Sequence, residues 1–356
     1  RNHSPAVLSA LFLLLYCVTF SHAQWKPAGA KLMTRWGKTV SPAEVHQEYP
    51  RPQLVRADWL NLNGLWDYAI RPAAAESPKQ ADGKILVPFP VESALSGVGR
   101  MVGKEKRVWY RRTFKVPGSW KGRRVLLHFG AVDWEAAVWV NGKPAGNHRG
   151  GYDPFTFDVT GLLTPGGDSQ RLEVSVWDPS DKGPQPRGKQ VSKPGGIWYT
   201  PVTGIWQTVW LEAVPLTSIS SLHIEPNVDG KRLKVKVETL GSGKVTVKVS
   251  APALGVSRRC APGETAELLL EDFELWSPGN PKLYDLEVEL VSGGKTVDRV
   301  ESYFGMRKVA LGKDRNGIPR ILLNGKPLFQ FGPLDQGWWP DGLYTAPSDE
   351  ALRYDL

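Results

Sequence analysis

The sequence predicts a mainly β protein with two sandwich domains, followed by the start of a β/α fold. Short segments of alternating apolar residues recur from about residue 50 to residue 311. The pattern then changes to one apolar segment, a long loop and a helix, which is the order of a β/α unit. With 356 residues, of which 41% are hydrophobic, the chain is long enough to bury a separate core in each domain.

The first domain is predicted to be a jelly-roll sandwich over residues 24–215. Residues 122–132, 135–142, 170–178 and 207–214 alternate apolar with polar side chains, as half-buried strands do. Asn141-Gly142 is a strong hairpin signal, because both residues tolerate positive φ. Since no amphipathic helix interrupts this part, strands packed in two sheets are expected.

A second β domain is predicted over residues 216–311. The segments "KRLKVKVETL" (231–240) and "KVTVKVSA" (244–251) alternate Lys with Val or Leu, so each strand buries one face. About seven strands in some ninety residues are typical of a small immunoglobulin-like sandwich. Cys260 is the single cysteine outside the first 23 residues, so no intrachain disulfide is expected.

The last segment, residues 312–356, reads as one β/α unit. Asn324-Gly325 predicts a short hairpin, and residues 328–331 predict an apolar strand. Ser348 is a good helix N-cap, and Asp349 and Glu350 in the first turn face the positive end of the helix dipole.

The N-terminus resembles a secretory signal peptide at residues 1–23. An apolar run, "AVLSALFLLLYCVTF" (6–20), follows Arg1 and His3 and precedes the small-residue stretch "SHA". The protein is therefore expected to be secreted or periplasmic, with no membrane partner. Its net charge of +9 is spread among acidic and apolar residues, so a solvated surface is favoured over nucleic-acid binding.

Several motifs, in order, resemble glycoside hydrolase family 2, which includes β-galactosidases, β-glucuronidases and β-mannosidases. The matching stretches cover nearly everything after residue 23. They are "LNGLWDY" (62–68), "VPFPVESALSG" (87–97), "WYRRTFKVP" (109–117), "VDWEAAVWVNGKPAGNHRGGYDPFTFDVT" (132–160), "GIWQTVWLE" (204–212), "LWSPGNPKLYDLEVEL" (275–290), "FGMRKVAL" (304–311) and "LLNGKPLFQFG" (322–332).

This resemblance implies a retaining hydrolase of terminal β-glycosides, with two catalytic glutamates on a (β/α)₈ TIM barrel. Such a barrel needs about 250 residues, whereas 45 follow Leu311. The barrel is therefore expected to be truncated after its first unit, with both glutamates beyond Leu356 and no catalytic residue in this chain.

The alternative is a non-catalytic secreted carbohydrate-binding protein. The sequence identifies no cofactor and no metal-ligand spacing of Cys and His. The sequence does not determine the sugar, the linkage or the oligomeric state. It also does not determine whether the full-length enzyme binds a divalent or monovalent cation.

The loop after residue 331 supplies most of the candidate substrate-binding residues. They are Asp335, Gln336, Trp338, Trp339 and Asp341. A carboxylate can accept hydrogen bonds from sugar hydroxyls, and an indole can stack on the apolar face of a sugar ring. The alternative is structural: the tryptophans plug the barrel mouth, while Asp335 and Asp341 stabilise turns.

Trp198 and Tyr199 complete the candidate site. By resemblance, they stand where β-galactosidases and β-glucuronidases usually carry an aspartate that reaches the substrate, so an aromatic surface is expected in its place. The preceding loop, residues 186–196, is expected to overhang the site, with Arg187, Lys189 and Gln190 as further candidates.

Three other residues are expected to be structural. His148 and Tyr152 lie in a Gly-rich turn, "NHRGGYDPF", that shapes the first domain. His128 alternates within a strand and is expected to be a half-buried core residue.

Overall fold

The computed structural model describes residues 25–29, 32–167 and 169–356. The predicted signal peptide lies outside these residues. Within them the chain forms antiparallel sheets, four short 3₁₀ helices and one α-helix. No described helix has the length and apolar character to cross a membrane.

The first sandwich consists of two main sheets and a small two-stranded sheet. A four-stranded sheet has the order β1-β12-β5-β9, and a six-stranded sheet has the order β3-β2-β4-β10-β7-β8. The strands are β1 (Trp59–Asn61), β2 (Gly64–Pro72), β3 (Gly83–Val87), β4 (Lys106–Phe114), β5 (Arg124–Phe129), β6 (Val132–Asp133), β7 (Glu135–Val140), β8 (Lys143–Arg149), β9 (Phe155–Asp158), β10 (Gln170–Trp177), β11 (Gly204–Ile205) and β12 (Val209–Val214). Their inward side chains form one core around Trp66, Tyr110 and Phe129.

The second sandwich has the seven strands that the alternating pattern predicts. A three-stranded sheet, β13-β14-β17, packs on a four-stranded sheet, β16-β15-β18-β19. The strands are β13 (Ser218–Asn227), β14 (Arg232–Leu240), β15 (Thr246–Ala251), β16 (Val256–Cys260), β17 (Thr265–Leu269), β18 (Tyr284–Ser292) and β19 (Lys295–Phe304). In β14, Leu233, Val235 and Val237 are fully buried, so the Lys residues between them face solvent.

Local turn chemistry was predicted correctly. Asn141 and Gly142 have φ of 52° and 76° and connect β7 to β8, which is the left-handed geometry of a tight hairpin. Asn324 and Gly325 repeat this geometry between β21 (Pro319–Leu323) and β22 (Lys326–Pro327). The last sheet comprises β20 (Val309–Lys313), β21 (Pro319–Leu323) and β22 (Lys326–Pro327).

The predicted strand at residues 328–331 is not formed. The segment has no regular secondary structure, and Phe329 and Phe331 are 86% and 91% exposed. A strand needs a neighbour to pair its backbone groups. Among the described residues this segment forms no strand ladder, and its contact with β21 is one long bond from the Leu328 amide to the Ile321 carbonyl at 3.5 Å. The helix α1 (Asp349–Asp355) does form, and the Ser348 hydroxyl accepts a hydrogen bond from the Ala351 amide as expected.

The segment at residues 32–58 connects all parts of the molecule. Thr34 binds Asp341 near the C-terminus, Val45 packs on the first sandwich, and Val55 pairs with Glu301 of β19. These contacts fix the Trp-rich loop against the first sandwich, which positions the candidate site.

Candidate functional site

Trp338 links the C-terminal loop to the first sandwich. Its ring centroid lies 4.7 Å from that of Tyr199 and 4.5 Å from that of Tyr344. Tyr344 in turn lies 5.2 Å from Trp206 and 5.9 Å from Tyr152. We call these five side chains the aromatic cluster; Trp338 and Tyr199 remain partly accessible to solvent.

A cavity of about 570 Å³ opens beside Tyr152, Trp206 and Tyr344 of this cluster. Cavities of a few hundred cubic ångströms that combine aromatic walls with a few polar groups suit small ligands. Its polar groups include Arg51, Gln207 and the carboxylates of Glu48 and Asp349. The wall can thus stack on an apolar ring face, while hydrogen-bonding groups orient the ligand.

Two candidates in the Trp-rich loop are well exposed. Asp335 uses Oδ1 to accept a hydrogen bond from the Gly337 amide at 2.7 Å, which closes a turn of the loop. Gln336 Oε1 accepts a hydrogen bond from the Tyr199 hydroxyl at 3.0 Å. Gln336 therefore helps to hold the loop against the first sandwich.

The predicted substrate-binding role of Trp339 and Asp341 needs correction, because the structure buries both side chains outside the aromatic cluster. Trp339 is 8% exposed and packs on Trp36 and Ala346. Asp341 is fully buried, and its Oδ2 accepts hydrogen bonds from the amide and hydroxyl of Thr34 at 2.8 and 2.7 Å. Both residues anchor the segment at residues 32–58, so neither is available to a sugar.

Of the two neighbouring residues Trp198 and Tyr199, the first faces solvent and the second lies in the site. Trp198 is 43% exposed and closes a tight turn with Gly195 through two backbone hydrogen bonds. Tyr199 joins the aromatic cluster, with Lys189 Nζ 5.7 Å from its ring centroid. Of the predicted pair, the structure brings Tyr199 alone to Trp338.

The loop at residues 186–196 lies beside the cluster, as the sequence predicts, and Gln190 reaches the cluster from below the surface, with its Nε2 3.4 Å from the Tyr152 hydroxyl. It is 1% exposed; its Nε2 donates to Asp133 Oδ2 at 2.9 Å, and its Oε1 accepts from the Val202 amide. Gly188 is in the left-handed region and approaches Tyr344 closely, so a Cβ there would lie 3.2 Å from the Tyr344 hydroxyl.

Two buried carboxyl groups, Asp133 and Asp178, and the half-buried Glu92 lie near this loop. Burial raises the pKa of Glu92 to about 8, and burial together with the charge of Asp178 raises the pKa of Asp133 to about 8. Burial also raises the pKa of Asp178.

These carboxyl groups are bonded to Thr203 and Gln190. The Thr203 amide donates to Glu92 Oε2 at 2.9 Å, and the Thr203 hydroxyl donates to Asp178 Oδ2 at 3.0 Å. Glu92 Oε1 is shielded from water without a partner, although part of the residue stays exposed. Burial thus shifts all three carboxyl groups toward their protonated form.

Sequence reasoning missed Tyr152, Trp206 and Tyr344 as members of the site. Tyr152 was expected to be structural, yet it is 39% exposed and its hydroxyl lies 3.3 Å from that of Tyr344. The signal that could have found Trp206 and Tyr344 is their aromatic character in loops beside the candidate segments. His128, in contrast, is a core residue, as expected, but it is fully rather than half buried: it is 3% exposed and stacks on Trp210.

Comparison with known proteins identifies the family. The model described as "Glycosyl hydrolases family 2, sugar binding domain" matches residues 87–215, and the model "Glycosyl hydrolases family 2" matches residues 217–307. This chain belongs to glycoside hydrolase family 2. The resemblance in the sequence motifs is thereby confirmed.

Family 2 relatives include glycosidases with two different names. A beta-galactosidase of Thermoanaerobacter pseudethanolicus is 27% identical over 70% of this chain and 35% of its own length. A beta-glucuronidase of Paenibacillus borealis is 27% identical over 79% of this chain and 50% of its own length. The chain thus spans half or less of the length of these relatives.

Solved family 2 structures share the fold. The Lactobacillus rhamnosus beta-glucuronidase aligns with a TM-score of 0.67 and 22% identity over 83% of this chain and 52% of that one. A Ruminococcus gnavus β-glucuronidase in complex with D-glucuronic acid aligns with a TM-score of 0.62 and 20% identity, over 81% and 52% of the two chains. At these identities the likeness concerns the fold.

Proposed function

We propose that this chain is the substrate-shaping part of a retaining family 2 glycosidase that hydrolyses terminal β-glycosides. The observation that carries the proposal is the contact of Tyr199, from the first sandwich, with Trp338, from the loop after residue 331. Two separate parts of the chain meet there to build one aromatic wall. In this proposal the segment at residues 312–356 is the start of the catalytic barrel, and the loop lies at the barrel's C-terminal face, where barrel enzymes build their sites.

The domain organisation is part of the proposal. Residues 24–215 would form the sugar-binding domain, residues 216–311 the immunoglobulin-like domain, and residues 312–356 the barrel start after a signal peptide at residues 1–23. The substrate is a carbohydrate, bound through stacking on Trp338 and Tyr199 and through the polar groups of Asp335 and Gln336. Secretion or export follows from the proposed signal peptide.

We expect this chain alone to be inactive. Retaining hydrolysis needs two carboxyl groups about 5 Å apart on either side of the scissile bond. Asp335 closes a turn of its own loop, and Asp133 is buried and bonded to Gln190. The catalytic glutamates are therefore proposed to come from barrel strands that follow residue 356 in a longer polypeptide.

The test combines mass with activity. The intact mass of the natural polypeptide is measured, and both it and the 356-residue chain are assayed on a panel of aryl β-glycosides. We expect a natural polypeptide well above 39.4 kDa that turns over at least one substrate, and no turnover by the chain alone. Turnover by the chain that disappears in an Asp335→Ala variant would contradict the proposal, and a natural mass near that of the chain would favour the carbohydrate-binding alternative.

A binding test addresses the aromatic wall directly. Trp338→Ala should weaken oligosaccharide binding by the chain roughly tenfold, because one stacking surface is lost. Tryptophan fluorescence titration measures this. Trp276→Ala, which removes a half-buried tryptophan of the second sandwich, is the matched control and should bind with the affinity of the unmodified chain. Equal affinities of the two variants would contradict the assignment of Trp338 to the binding site.

A further inference from the structure

The outer face of the six-stranded sheet carries tryptophans where a solvated sheet face normally carries polar residues. In β7, Ala136, Val138 and Val140 point into the core, so Glu135, Ala137 and Trp139 point outward. Trp139 is partly exposed, and its ring stacks on Trp109 of β4, with centroids 5.7 Å apart and planes at 26°. Trp109 is 6% exposed, so it supports Trp139 from below.

A groove of about 550 Å³ runs along this face. We call it the Trp139 groove, and its lining residues are Arg107, Glu135, Ala137, Trp139, Asn147, His148 and Arg149. None of them lines the cavity beside Tyr152, Trp206 and Tyr344, so the two hollows are separate. The volume lies in the range typical of ligand sites.

The polar groups of the groove are held in place by one another. Glu135 accepts from Arg149 at 2.9 Å and lies 3.6 Å from Arg107 Nη2. Arg107 Nη1 also donates to the Ser175 hydroxyl at 2.8 Å. Because one carboxylate faces two guanidinium groups, the groove keeps an excess positive charge.

Arg149 also has a donor group to spare. It contacts Glu135 through Nε and Nη2, and its side chain is 71% exposed, so Nη1 is left for a ligand. A guanidinium can bind a planar or tetrahedral anion through two parallel hydrogen bonds. An anionic ligand in the groove would thus meet donors that are already oriented.

We propose that the Trp139 groove is a second carbohydrate-binding site, which takes a segment of an acidic polysaccharide. The apolar face of one sugar ring stacks on Trp139, Asn147 meets its hydroxyls, and Arg149 with Arg107 binds a carboxylate or sulfate substituent. This inference rests on the proposed carbohydrate function, since it adds a site that would hold a polymer near the enzyme. The observation behind the proposal is that the partly exposed ring of Trp139 and the exposed guanidinium of Arg149 line the same groove.

Affinity electrophoresis of the 356-residue chain in native gels tests this inference. The gels contain alginate, which is carboxylated, dextran sulfate, which is sulfated, or neutral dextran. We expect retardation in at least one acidic gel and none in dextran. Trp139→Ala and Arg149→Ala should each reduce that retardation at least fivefold in apparent affinity, whereas Trp276→Ala, with its tryptophan stacked on Arg307 in the second sandwich, should behave as the unmodified chain.

Each outcome decides the inference. Retardation in alginate alone or in dextran sulfate alone supports it and identifies the substituent, and retardation in both supports a site that accepts either anion. Retardation in neither acidic gel, retardation that persists in both variants, or equal retardation in neutral dextran overturns it. If Trp139→Ala shows a lowered melting temperature, Arg149→Ala decides the matter, since this exposed side chain is removed without loss of core packing.

A Trp338→Ala variant separates this inference from the proposed function. Loss of retardation in Trp338→Ala but not in Trp139→Ala would assign binding to the aromatic cluster, which leaves the proposed function intact and overturns the second site. Hydrolysis is not needed for any of these measurements.

Discussion

Asp133 illustrates how burial changes the chemistry of a single side chain. It is 2% exposed, it faces the charge of Asp178, and Gln190 donates one hydrogen bond to it. Close approach of the backbone adds to this, since a Cβ on Gly151 would lie 2.7 Å from Asp133 Oδ1. The site therefore holds a carboxyl group that keeps its proton at neutral pH.

The raised pKa of Asp133 predicts a pH-dependent stability. Its pKa is about 8 in the folded chain and 3.8 when unperturbed, so the folded state binds more protons between about pH 4 and pH 8. The contribution of Asp133 to stability is thus greatest below pH 4 and falls as the pH rises through 8. At pH 8.5 an Asp133→Asn variant should have a melting temperature a few degrees above that of the unmodified chain. At pH 4.5 the two melting temperatures should differ little.

Thermal melts followed by circular dichroism at both pH values measure this difference. Asp335→Asn, which changes an exposed carboxylate, is the control and should show no such dependence. A gap between Asp133→Asn and the unmodified chain that is equal at pH 4.5 and pH 8.5 would refute the role of Asp133.

At the scale of elements, the Trp-rich loop is held by long-range contacts rather than by regular structure. Asp341 binds Thr34, 307 residues away in the chain. The Thr345 hydroxyl lies between two carbonyl oxygens, 2.6 Å from that of Trp206 and 3.0 Å from that of Pro88, and its one proton serves either of them. Residues 328–331, which lack a pairing strand, stay exposed instead. The loop therefore has a fixed end near Asp341 and an unpaired beginning.

Removing the Asp341 carboxylate should release the segment at residues 32–58. Asp341→Ala deletes an acceptor of two hydrogen bonds and is expected to destabilise this contact by about 2 kcal/mol. Hydrogen exchange should become faster at the Thr34 and Gly37 amides. Asp335→Ala in the same loop is the matched control, and unchanged protection of Thr34 in Asp341→Ala would argue against the anchoring role.

At the scale of the whole molecule, Arg56 joins the two sandwiches. It donates to both oxygens of Asp298 in β19, at 2.6 and 3.0 Å, and to the Ile219 carbonyl of β13 at 2.6 Å. Its Nε also lies 3.6 Å from Glu212 of β12 in the first sandwich. Arg56 is 5% exposed, so its charge is balanced by buried carboxylates of both domains.

Glu212 is suited to this position because its charge is stabilised. Burial alone would raise its pKa, but the neighbouring imidazole of His128, the charge of Arg51 and the hydrogen bond from Tyr49 hold the pKa of Glu212 well below its usual range. The carboxylate stays ionised beside Arg56 at neutral pH. The domain junction is therefore an ion-pair network closed off from water.

Arg56→Ala should uncouple the two sandwiches. The substitution leaves the buried carboxylate of Asp298 without its cation, whereas Glu212 keeps its ion pair with Arg51. Breaking a buried ion pair in this way costs about 3–5 kcal/mol. Differential scanning calorimetry should show a lower melting temperature and two transitions in place of one. Arg299→Ala, which removes an exposed ion pair from the same strand as Asp298, should melt as the unmodified chain does; if Arg56→Ala also did so, the junction would be held by other contacts.

The sequence by itself determined the features that depend on neighbours along the chain. Alternation of Lys with Val in β14, positive φ at Asn141-Gly142 and the Ser348 cap are set by local sterics and hydrogen bonding. Family motifs added the order of the domains.

Only the tertiary structure decided which loop residues meet. Trp338 and Trp339 are adjacent and chemically identical, yet one joins Tyr199 and the other is buried against Trp36. Asp341 anchors the segment at residues 32–58 because Thr34 lies beside it. Tyr344 belongs to the site because it packs against Tyr152 and Trp206. The physical reason is that burial and pairing depend on residues hundreds of positions away, which local periodicity does not encode.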